Sequence, residues 1–103
     1  MSSFDINVLT AQTSNTETAA RAGPAKQCRV FAFGTFGGAT VKLQVRPVGS
    51  TVWFDTGDLT FTANAYADIF LGKNDEFRGT VASASGTTSV SLVVTPLHGA
   101  VNA

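Results

Sequence analysis

Val41, Leu43 and Val45 alternate with Lys42, Gln44 and Arg46, and the same period of two recurs through most of the chain. A period of two sends successive side chains to opposite faces, so each such run predicts a strand with one face toward a core and one toward water. Cys28, Val30 and Ala32 share a face against Arg29, Phe31 and Phe33. Ala39–Arg46 is the next strand, stopped by Pro47 and followed by a turn at Val48-Gly49-Ser50. Thr51–Asp55 reads as a strand, then Thr56-Gly57 turns the chain into a strand with Leu59 and Phe61 on one side. Ala65, Ala67, Ile69 and Leu71 oppose Tyr66, Asp68 and Phe70. Phe77, Gly79 and Val81 oppose Arg78 and Thr80, and Val90, Leu92 and Val94 complete the set before Pro96. Gly37-Gly38 and Gly72–Asp75 read as turns, and Ser85-Gly86 as a tight hairpin turn.

Residues 1–25 read differently. Phe4, Ile6 and Val8 alternate with Asp5 and Asn7 in one weak strand, Phe4 to Thr10. Ala11–Pro24 is small and polar and closes on Gly23-Pro24, so it predicts a long connection or arm. A short helix over Thr16–Ala22 would have too few apolar residues to dock firmly. The expected organisation is therefore an N-terminal strand and polar arm over 1–25, a sandwich over 26–97 and a tail over 98–103. About eight short strands between turn signals, with no βαβ alternation, predict an all-β fold. The form expected is a single antiparallel β-sandwich, jelly-roll or immunoglobulin-like, with an extended N-terminal arm.

Composition narrows the function. At 103 residues the chain is one domain, and one of ~100 residues gains little stability to spare on its own. Seven basic and seven acidic residues cancel, and no Lys/Arg cluster offers the electrostatic footprint of a nucleic-acid binder. Charged residues make up 14%, against a usual value of about 25%, which suits a surface partly covered by neighbours. No apolar run approaches a membrane span, and Met1–Asn7 lacks the basic and apolar regions of a signal peptide. Folding in the cytosol, with no membrane partner, is the expectation.

Residues with reactive chemistry are few. His98 falls in the tail, where no orienting carboxylate or nucleophile is at hand. Cys28 is in phase with Val30 and reads as a small buried hydrophobe; alone, it closes no intrachain disulfide. Asp55 and Asp58 flank one turn, and Asp75 and Glu76 another; neither has the ligand offsets of a calcium loop. One His and one Cys cannot build a four-ligand intrachain zinc site. Gly34, Gly37 and Gly38 precede no phosphate-binding Lys-Ser/Thr. The expectation is a non-enzymatic protein without metal or cofactor.

The aromatics carry the sharper signal. Several strands bear large apolar groups on both faces, and only one face can be the core. Either these are central strands or rim positions covered by loops, or a second apolar surface is buried against another subunit or a larger assembly, with Phe4, Phe31, Phe33, Phe54, Tyr66 and Phe70 as the candidate interface residues. Trp53 and Phe54, adjacent in a predicted strand, must point to opposite faces, so one of them probes for a second buried surface. Trp53 and Tyr66 are also the residues that would stack on sugar rings.

The block Gly37–Val45, with Thr51, Trp53 and Asp55 after it, resembles a pattern common in small structural proteins of tailed bacteriophages. The pattern runs G-G-A-T-V-x-L-Q-V, a short turn, then T-x-W-x-D. Phe77–Val81 and the closing Ser/Thr/Val strand Thr87–Thr95 fit the same likeness, which covers about residues 30–95. The resemblance implies a virion component, made in the host cytoplasm and placed on the capsid surface as a decoration (cement) or head-fibre-like β-sandwich. Its implied partners are itself, as a homodimer or homotrimer, and the major capsid protein, and the arm would reach a neighbour or the shell. The other reading is a receptor- or carbohydrate-binding module of a tail fibre or other tail component.

Overall fold

The computed structural model describes residues 5–97. Nine strands form two antiparallel sheets packed face to face. They are β1 (Ile6–Gln12), β2 (Thr16–Glu17), β3 (Arg21–Ala22), β4 (Lys26–Thr35), β5 (Thr40–Pro47), β6 (Thr60–Phe61), β7 (Ala65–Leu71), β8 (Asp75–Ala82) and β9 (Ser89–Pro96). Sheet A has the order β1-β9-β4-β7, and sheet B the order β2-β8-β5-β6 with β3 also on β8. Strands therefore pair as a folded-over ribbon: β1 with β9, β2 and β3 with β8, β4 with β7, β5 with β6. That nesting is the jelly-roll arrangement, one of the two topologies the sequence left open.

The inward faces are the ones the alternation predicts. Cys28, Val30, Ala32, Leu71, Val90, Leu92 and Val94 from sheet A meet Val41, Leu43, Phe61, Phe77 and Val81 from sheet B. Leu59, in a single 3-10 turn over Gly57–Leu59, is buried at the rim. Gly79 occupies an inward position because β1 crosses over it. A Cβ there would lie 2.7 Å from Val8 Cγ1 and 3.0 Å from Leu92 Cδ2. Gly34 is required as well: its φ is +127°, and a Cβ would collide with the Ser89 carbonyl oxygen.

Four local expectations change. The stretch expected as an arm is bound into the sandwich as the outermost strand of sheet B, in two short pieces. Thr18 donates its backbone N–H to the Gly79 carbonyl at 2.9 Å and Gly23 to that of Asp75 at 2.8 Å. Backbone pairing of this kind needs no apolar pattern, so the polar text did not reveal it. In β1 the alternation breaks at Val8-Leu9, which are both buried, because the register slips between Asn7 and Leu9. Such a bulge turns adjacent residues the same way. Thr51–Asp55 is not a strand; only Phe54 makes a single bridge, to Val45. Ser85-Gly86 is not a hairpin turn, since β8 lies in sheet B and β9 in sheet A. The crossing is held by Thr88, whose buried hydroxyl donates to the Phe36 carbonyl at 2.8 Å and accepts the Ser85 N–H at 2.9 Å.

Candidate interaction faces

The two outer faces of the sandwich differ in chemistry. On sheet A, β4 and β7 pair in unbroken register, with Phe31 opposite Tyr66 and Arg29 opposite Asp68. The large apolar side chains on the outer face are Phe31, Phe33, Tyr66 and Phe70, which are 37%, 45%, 60% and 58% exposed. The rings of Phe31 and Tyr66 are tilted at a centroid separation of 5.8 Å. A single ion pair interrupts them: Arg29 Nε and Nη2 reach the two carboxylate oxygens of Asp68 at 2.8 and 3.1 Å. The Arg29 guanidinium also lies 5.0 Å from the Tyr66 ring centroid. This bidentate partner holds the Asp68 carboxyl below its ordinary pKa and pushes that of Arg29 up.

On sheet B the outward positions are polar and joined to one another. Asp55 accepts hydrogen bonds from Gln44 at 2.6 Å and Lys42 at 2.9 Å, which together hold its carboxyl below the ordinary value. Gln44 accepts from Arg78 at 2.8 Å, and Arg46 pairs with Glu76 at 2.9 Å. Glu17, from the stretch expected as an arm, meets Arg78 at 3.5 Å. The guanidinium groups of Arg46 and Arg78 lie 4.3 and 4.5 Å from the Trp53 ring centroid. Trp53 is thus the half-buried cover of a charge network. The bridge from Phe54 to Val45 explains the placement. Residues 53 and 55 point outward with Lys42, Gln44 and Arg46, and Phe54 points to the inner side at an open edge, 54% exposed.

Of the six sequence candidates, then, Phe31, Phe33, Tyr66 and Phe70 come together on one face. Phe54 stands apart at the edge of sheet B, and Phe4 lies outside the described residues, as does His98. Trp53 and Tyr66 occupy opposite outer faces and cannot form one stacking platform. Val48 and Val52, each 56% exposed, flank the turn before Trp53 and were not singled out; Pro47 and Gly49 were the available signal of a projecting loop. The Trp53–arginine stack was missed too, since its partners sit on two strands that only the fold brings side by side.

Among the described residues no group of three or more His, Cys, Asp or Glu could hold a metal ion. Cys28 is fully buried, with its thiol against the Lys26 carbonyl at 3.3 Å, and burial pushes its pKa up. A protonated thiol without access to solvent is a poor nucleophile. Comparison of the chain with protein-family models, curated proteins and solved structures gives no match.

Proposed function

We propose that this chain is a non-enzymatic structural protein of a tailed-phage virion, seated on the capsid surface as a decoration protein through the outer face of sheet A. The observation that carries the reading is the gathering of Phe31, Phe33, Tyr66 and Phe70 on one exposed face with a neutral ion pair among them. Large apolar groups concentrated this way mark protein contact surfaces. Burying a large apolar side chain is worth about 1.5–3 kcal/mol, so four half-exposed rings offer roughly 4 kcal/mol before the cost of association. One such face binds weakly, which suits a repeating shell where several copies act together. The sequence resemblance over residues 30–95 supplies the virion context. The jelly roll supports it only in part, because the same fold serves viral capsid proteins, lectins and cupins.

The test is cosedimentation of the purified chain with phage capsids that lack it. The chain should pellet with the shells, and Phe33→Ser combined with Tyr66→Ser should weaken binding at least tenfold without changing the circular dichroism. A chain that stays in the supernatant with every shell tried refutes the reading. Glycan-array binding that depends on Tyr66 would point instead to the receptor-binding role.

A further inference from the structure

A sandwich of two open sheets has four edges, and each edge strand is a row of backbone groups able to pair with another chain. Three of the four are blunted here. β1 carries two register slips, between Asn7 and Leu9 and between Leu9 and Gln12, and Ala11 within it has φ +46°. The β8 edge is covered by β2 and β3, each of two residues, which leave only a broken row. β6 is two residues long. The fourth edge is different. β7 runs seven residues, Ala65–Leu71, and pairs with β4 at every position without a slip. No strand among the described residues pairs with its far side. Its sequence, Ala-Tyr-Ala-Asp-Ile-Phe-Leu, contains no Pro, Gly or Lys and one charge, Asp68. That charge is already engaged by Arg29 of the same sheet.

We infer that β7 is a self-association edge: two copies join β7 to β7 antiparallel about a two-fold axis, making one continuous eight-stranded sheet. The occupant is a second copy because a long, regular edge pairs fully with an equally long and regular one, and β7 is the single such edge among the described residues. The strand is also complementary to itself. Pairing centred on Asp68 uses all seven residues and sets Tyr66 opposite Phe70 of the other copy, twice. Aromatic pairs directly across strands are favourable contacts. Ala65 meets Leu71, and Ala67 meets Ile69. The two Asp68 carboxylates meet at the axis, each with its own Arg29, so the four charges sum to zero. The chain's formal net charge of zero adds no long-range repulsion between copies. An isologous contact of this kind closes at two copies. It joins the aromatic outer faces side by side and leaves them open. The inference stands whether or not the chain belongs to a virion.

Sedimentation equilibrium on the full chain tests it. The expected mass is twice 10.7 kDa, falling to 10.7 kDa in a Tyr66→Lys/Phe70→Lys variant whose circular dichroism is unchanged. Both replaced side chains are more than half exposed, so the fold should tolerate the change. Asp68→Cys supplies the independent readout, because Cys28 is buried and the new thiol would sit on the axis. Mild oxidation should convert most of that variant to a covalent dimer, and a Val48→Cys control, with β7 intact, should form no covalent dimer. A monomer at every concentration up to the solubility limit overturns the inference. So does a trimer, or a dimer that survives the lysine pair or fails to cross-link through position 68.

Discussion

The outer faces of the two sheets follow the same alternation along their strands, yet they solve opposite problems. Sheet B closes on itself. Each outward charge there has an opposite charge or an amide within 3.5 Å, and Trp53 lies across two of the cations. Sheet A leaves four aromatic rings in water with one ion pair among them. The difference shows that low overall charge is not spread thinly. It is concentrated on one face, which frees the other to be apolar. A saturated face has little to offer a partner, because breaking its contacts costs what new ones would return. An unsaturated apolar face gains on contact.

The largest expected effect compares one residue type in two places. Phe77 is fully buried, and Phe77→Ala should cost about 3–5 kcal/mol in urea unfolding. Phe70→Ala, on the outer face of sheet A, should cost less than about 1 kcal/mol. Equal costs would mean that Phe70 is held by the fold and that the face is not free.

Next in size is the contrast between Trp53 and Tyr66. Trp53→Ala removes two cation–π contacts and uncovers the sheet B network, for an expected loss of about 1–2 kcal/mol measured by denaturant midpoint. Tyr66→Ala removes one such contact and an exposed ring, and should cost about half as much. Should Tyr66 prove the costlier of the two, the division between a self-satisfied face and an open one would fail.

A smaller loss is expected from Glu17→Gln, which uncouples the β2 stretch from Arg78 on sheet B. The pair is exposed at its carboxylate, so the cost should be under about 1 kcal/mol, and added salt should erase it. A loss insensitive to salt would place the stabilisation in backbone pairing instead.

The smallest effect is in the acid limb of stability. Asp55 and Asp68 both have carboxyls held below their ordinary value of about 4. Their contribution is complete above that value and disappears as pH falls through their lower folded-state pKa values. Asp55→Asn and Asp68→Asn should each flatten the fall in melting temperature below about pH 4. The two variants report the two faces separately, and an unchanged acid limb in both would show that neither pair matters in solution.

Much of the fold was legible from alternation. The inward and outward sides of β4, β5, β7, β8 and β9 follow directly from it, because the side-chain period of a strand is local and needs no knowledge of its partner. The grouping of Phe31 with Phe33, and of Tyr66 with Phe70, was legible for the same reason. That both pairs share one surface was not, since β4 and β7 are joined only across two strands of the other sheet.

What the sequence determined by itself is an all-β chain, the identity of its core residues and the two-faced character of its strands. The tertiary structure decided the rest. It chose the jelly-roll order, made residues 16–22 into the outermost strand of sheet B, turned Ser85-Gly86 into a crossing between sheets, and set Trp53 on Arg46 and Arg78. Backbone hydrogen bonds are the same whichever strands they join. Strand order is therefore settled by how the whole set of apolar faces closes over one core, which no short stretch of sequence contains.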